Sequence, residues 1–290
     1  MPIYEQTYRA WEGRAVPRHR WLTIVKQEFA VLLAQRQFII LYLMSFLQVF
    51  LRIMQVVAVD TLATSKRPEI MMVVQQIKGM KIEPQMFFDF IRMQSVFVVM
   101  MALFAGAGMI CNDVRNNLWE VYFAKPLTRR DYILGKFSAL CFITLSFTAV
   151  PAVFLYVLHF ILAPNKAWIT ELYWIPISSV IFSLLVVVPT MLLVLCCSSL
   201  FRSMRFVSLA VLIVLMGNSG MAAILADVLE NRMYYSVSIP MAINRLGTSL
   251  FRLRPFFTMN PLAATVMVLI VSAICLAILW RRIRVVEIAS

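Results

Sequence analysis

The residues of this chain that could do chemistry are few, and they are unevenly placed. The densest set is a polar island at residues 112–136, reading NDVRNNLWEVYFAKPLTRRDYILGK behind Cys111. Long apolar runs flank it on both sides. Asp113, Arg115 and Glu120 alternate in sign, with Trp119, Tyr122 and Phe123 among them. Charges interleaved with aromatic side chains suit recognition of another surface rather than bond breaking. Val114, Leu118, Val121 and Tyr122 fall on one face of a helix spanning 113–124. Asp113 is a plausible first-turn acid there, favourable at the positive end of a helix. Pro126 ends that helix, and Thr128 with Asp131 forms a T-x-x-D capping box for the next one. The expectation is a helix, a turn and a second helix that runs into the bilayer, so that motion of the first passes to the second.

The motifs of catalysis are missing. Gly135-Lys136 lacks the upstream glycine and the following hydroxyl of a phosphate-binding loop. There is no HExxH and no GxSxG. The two histidines, His19 and His159, lie at opposite ends of the membrane path, which argues against a histidine metal or catalytic centre. No span carries a pair of carboxylates, as a proton-driven carrier would want. The five cysteines, Cys111, Cys141, Cys196, Cys197 and Cys275, form no CxxC and are read as free thiols acting as small apolar residues. The chain is therefore not expected to be an enzyme or to bind a cofactor. If it moves anything against a gradient, the energy comes from another polypeptide.

These residues must be positioned by membrane helices. Of the 290 residues, 62% are hydrophobic, gathered into runs of about the 20 residues that cross a bilayer. No long segment alternates as barrel strands do. The fold class is all-α and polytopic, one transmembrane domain over 1–290. A polar N-terminus (1–17) precedes an interfacial amphipathic helix (18–36) whose apolar stripe is Leu22, Val25, Phe29, Leu32 and Leu33. Six spans follow, at 38–59, 93–110, 137–163, 174–200, 206–229 and 262–280. Pro151 is expected to kink the third. The first apolar run begins near Phe38 behind a charged segment, so no cleavable leader is expected. The stretch between spans five and six is too polar to cross and is read as short helices dipping into the outer leaflet.

Two polar sets lie inside the spans. Gln48, Arg52 and Gln55 share one face of the first span. Arg52 either faces protein or water, as a translocation path or dimer interface would require, or snorkels to the outer surface. Asn218, in the middle of the fifth span, either bonds a neighbouring helix or lines the path. The net charge of +13 fits lysines and arginines meeting anionic lipid, not nucleic acid. With both termini in the cytoplasm, 16 Lys and Arg lie inside and 10 outside, which favours that orientation.

The island and the layout together resemble the membrane subunits of ABC-2 type ATP-binding-cassette exporters. The matching pattern is D-x-R-N-x-L-x-E-x-x-x-x-K-P-L-T-R-R-D-Y-I-L-G-K, from Asp113 to Lys136. The resemblance implies a permease in the bacterial inner membrane, paired with a second copy or a paralogue. It also implies two copies of a separate ATPase that binds the ATP. Asp113, Arg115, Leu118, Glu120, Val121 and Tyr122 would be the docking residues on a coupling helix. An alternative is a non-transporting subunit that passes ATPase-driven motion to an assembly or maturation partner.

Overall fold

A computed structural model describes residues 20–64, 82–118, 122, 127–163, 172–230, 232–255 and 260–283. Among them there is helix and no strand, and six helical stretches are long and apolar enough to span a membrane. An N-terminal helix, Trp21–Leu33, leads into span 1, Arg36–Thr64. Span 2 runs from Pro84 to Arg115 and span 3 from Arg129 to Leu162. Span 4 is Ile175–Leu200, span 5 Met204–Val228 and span 6 Pro261–Arg282. All six spans expected from hydropathy are present. Spans 1 and 2 run longer because polar residues at their ends, such as Asp60 and Arg92, still take helical backbone.

Span 4 is the hub. It packs against spans 2, 3, 5 and 6, and 72% of its apolar window is buried, against 17% for spans 1 and 5. The thinly covered helices carry exposed side chains such as Leu47, Leu51, Ile213 and Met216, which suit acyl chains or another protein surface. At the end of the bundle opposite the island, Asp60 of span 1 is buried and bonds His159 of span 3, Oδ2 to Nδ1 at 2.8 Å.

Four spans are irregular, each for a local reason. Pro151 has no N–H to offer the Phe147 carbonyl, and span 3 breaks at Thr148 (φ −107°, ψ −70°). Pro189 lies inside span 4 and denies the Leu185 carbonyl its donor in the same way. Spans 2 and 5 each contain a five-residue π turn, Ala102–Gly106 and Ile213–Gly217. Just beyond the first of these, Ser198 of span 4 reaches across. Its hydroxyl accepts from the N–H groups of Ile110 (3.2 Å) and Cys111 (3.0 Å) and donates to the Ala107 carbonyl (2.8 Å). Polar backbone disturbed within the bilayer is thereby satisfied.

The connection between spans 5 and 6 turns back into the bundle. A 3₁₀ turn, Arg232–Val237, leads to a helix at Ile239–Leu250. Asn218 Oδ1 accepts from the Ile239 N–H at 2.9 Å, so the start of this helix sits beside the middle of span 5. Its other end reaches the start of span 4, where Ser178 Oγ donates to the Leu250 carbonyl at 3.2 Å. A Cβ at Gly247 would lie 2.5 Å from Phe182 and 2.7 Å from Phe88, so only glycine permits this approach. Phe88, Phe182 and Phe251 form a ring cluster there, with Phe88 and Phe182 stacked at 5.3 Å.

Candidate functional site

A buried ionic cluster joins three elements at the end of the molecule that holds the island. Lys136, about two turns into span 3, is 2% exposed. Its ammonium bonds Glu28 of the N-terminal helix, Asp113 at the end of span 2 (2.8 Å) and the Met109 carbonyl (3.0 Å). Three acceptors use the three ammonium hydrogens. The Tyr132 hydroxyl donates to Asp113 Oδ2 at 2.7 Å. The rings of Tyr122 and Tyr132 lie 5.8 and 5.6 Å from the ammonium, within cation–π range. Burial pushes the Tyr122 hydroxyl above the usual phenol range, partly offset by Lys136.

Local sequence explains the cluster. Thr128 and Asp131 form both halves of the expected capping box, with Asp131 N–H to Thr128 Oγ1 at 3.2 Å and Thr128 N–H to Asp131 Oδ2 at 3.1 Å. That fixes where span 3 begins, and so the direction of Tyr132, Gly135 and Lys136. A Cβ at Gly135 would meet Ile24 at 2.7 Å and the Trp21 carbonyl at 3.1 Å. The missing side chain lets the N-terminal helix lie directly on span 3, which brings Glu28 within reach of Lys136.

Several expectations change here. Asp113 does not open a separate helix at 113–124. It lies in the last turn of Ala107–Arg115, because nothing stops span 2 before Asn116 and Asn117, the latter at φ 52°. Nor does Asp113 face outward as a docking residue, being 5% exposed and held by Lys136 and Tyr132. Arg115 is exposed, and Leu118 and Tyr122 are half-buried. Glu120 and Val121, with Trp119, Phe123 and Pro126, lie outside the described residues. The N-terminal helix buries Ile24, Val25, Glu28 and Leu32, so Val25 and Leu32 of the expected stripe face the protein while Leu22 and Leu33 are exposed. Glu28 was missed by the sequence reading. An acid within an otherwise apolar i, i+4 row is the clue that could have marked it.

The second polar set is less concerted. Arg52 donates to Gln55 at 2.7 Å on its own helix. Both polar atoms of the Gln48 side chain are buried without a partner among the described residues. Asn218 is held by the re-entrant helix, far along the chain from these three.

A cavity of about 650 Å³ lies between spans 2, 4, 5 and 6 and the re-entrant helix. Its walls are mostly apolar, and three of the irregular spans expose their irregularity to it. Leu103 belongs to the π turn of span 2, Leu215 and Met216 to that of span 5, and Pro189 and Thr190 come from span 4. Helix defects of this kind concentrate where a structure binds or moves. Among the described residues, no group of three or more His, Cys, Asp or Glu is placed to hold a metal ion.

The family profile described as "ABC-2 family transporter protein" matches residues 22–281. No curated protein matches the chain.

Proposed function

The chain belongs to the ABC-2 family of transporter proteins as a multi-pass permease subunit, and on that premise we propose that it is the membrane half of an inner-membrane exporter. A separate ATPase binds and hydrolyses ATP. Two permeases, identical or paralogous, each dock one ATPase from the cytosol, and both termini lie on that side. Arg115, Leu118, Glu120, Val121 and Tyr122 form the docking surface. Asp113 serves it as a positioning residue rather than as a contact.

The observation that carries this reading is the Glu28–Lys136–Asp113 cluster. It fastens the end of span 2, from which the island emerges, to span 3 and to the N-terminal helix. Force applied to the island reaches three elements at once through buried ionic bonds, which resist shear better than a loop in solvent. The cavity favours export over mechanical transmission alone, because a purely mechanical subunit has no need of a chamber of about 650 Å³.

The test is co-purification from the native membrane. Glu120→Ala with Tyr122→Ala should lose the ATPase while the permease still inserts. Glu28→Gln should keep the ATPase bound and lower its coupling to transport. An ATPase that stays bound to the double variant would overturn the docking assignment.

A further inference from the structure

The cavity also carries information about what enters it. Six lining residues on span 2, from Arg92 through Ser95, Val96, Val99 and Met100 to Leu103, recur at three- and four-residue steps. They form one stripe along one face of the helix. Arg92 heads this stripe, eight residues after Pro84, or about 12 Å along the axis. It is the single charged side chain in the lining among the described residues, and no carboxylate lines the cavity with it. The nearest acid on its own helix, Asp89, accepts from Gln85 at 2.9 Å and makes no ion pair with Arg92.

The hydroxyls of the lining are already committed. Ser95 Oγ donates to the Arg92 carbonyl at 2.6 Å, Thr190 Oγ1 to the Val186 carbonyl at 2.7 Å and Ser219 Oγ to the Leu215 carbonyl at 2.8 Å. Each spends its one proton on its own helix and can offer a ligand only lone pairs. The other lining residues whose side chains carry N–H donors are Arg92 and Asn244. A cation would meet Arg92 with no compensating acid. Arg92 is exposed at the cavity wall, so a fully neutral apolar ligand would simply gain nothing from it. The volume lies within the range of small-molecule sites.

We infer that this chamber receives an apolar molecule bearing one anionic group, a carboxylate, sulfonate or phosphate, with Arg92 as its counter-ion and Asn244 as a second donor. The apolar body lies along Val99, Met100, Leu103 and Leu193. This deepens the permease reading and rests on it. Such an amphiphile has two sources, a bilayer phospholipid or a smaller dispersed acid, and both present the same chemistry to Arg92.

The experiment uses the permease–ATPase complex purified from its native membrane and placed in phosphatidylcholine nanodiscs, with empty discs as blank. Binding is read by fluorescence with dansyl-undecanoic acid, its methyl ester and a trimethylammonium analogue. The wild type should bind the acid at least tenfold more tightly than either analogue. Arg92→Gln should abolish that preference and leave ester binding unchanged, Arg92→Lys should retain most of it, and Val99→Trp should weaken acid and ester alike by filling the space. Equal affinity of the wild type for acid and ester, or an undiminished preference in Arg92→Gln, overturns the inference. Size-exclusion profiles check that each variant is folded, and the lysine variant keeps the test decisive if the glutamine variant is not. Native mass spectrometry separates the sources. An anionic phospholipid retained by the wild type and lost in Arg92→Gln supports the bilayer source, and its absence together with tight acid binding supports the dispersed one. Loss of the ATPase from the purified wild-type complex would instead count against the permease reading, independently of the acid preference.

Discussion

At the scale of single residues, Lys136 is the side chain on which most depends. Replacing it with Met leaves Glu28 and Asp113 facing each other, buried and uncompensated. Breaking a buried ion pair from one side costs about 3–5 kcal/mol. The expected outcome is a large loss of thermal stability in detergent, read by fluorescence-detected size exclusion. The triple variant Glu28→Gln, Asp113→Asn, Lys136→Met should recover much of that loss, since all three charges leave together. An unchanged melting profile for Lys136→Met alone would show that the pairs contribute nothing. Ser198→Ala is a second such case. It removes the partner of two N–H groups and one carbonyl of span 2, and leaving buried groups unsatisfied costs about 1–3 kcal/mol. Ser198→Thr, which restores a hydroxyl, should lie closer to the wild type in the same assay. At this scale the sequence was partly legible. Tyr132, Gly135 and Lys136 stood out as a motif, but their reasons did not, because Glu28 lies 108 positions from Lys136 and no local pattern joins them.

At the scale of elements, the contact between the N-terminal helix and span 3 depends on a side chain that is missing. Gly135→Leu would drive a branched chain into Ile24 and the Trp21 backbone, an overpacking worth roughly 1–3 kcal/mol. The helix should lift, and with it Glu28 should leave Lys136. Cysteine cross-linking between positions 24 and 135-adjacent sites such as 131 would fall in yield if this is right, and persist if the helix is held by other contacts. The six spans followed directly from hydropathy, the break near Pro151 from the proline itself and the capping box at Thr128 from its spacing to Asp131. The boundary at Asp113 did not follow. A polar residue was read as a helix start, while the backbone continued to Asn116 because only there does the chain find residues that readily leave the helix. The π turns were illegible as well, since one extra residue within an apolar run leaves hydropathy unchanged.

At the scale of the whole molecule, the spans divide into a well-packed group, 2 to 4, and thinly covered helices, 1, 5 and 6. The cavity lies where the two groups meet. Relative movement of the groups would change its volume first, and the defects in spans 2, 4 and 5 are where bending is easiest. Filling the chamber with Val186→Trp is expected to lower transport severely while leaving ATPase binding intact, as co-purification and flux measurements on the same complex would show. Transport at wild-type rates would place the path elsewhere.

The π turn in span 2 has a historical consequence. A π turn holds one residue more than the α-helix around it, so Ala102–Gly106 has the form of an accommodated single-residue insertion. Without that residue, everything after it rotates by about 100° around the axis. Asp113 would then swing off Lys136, and a chain lacking that residue would need to offer the ammonium some other neighbour. Aligned descendants should therefore gain or lose the extra residue together with the acid at position 113, two changes inherited as one.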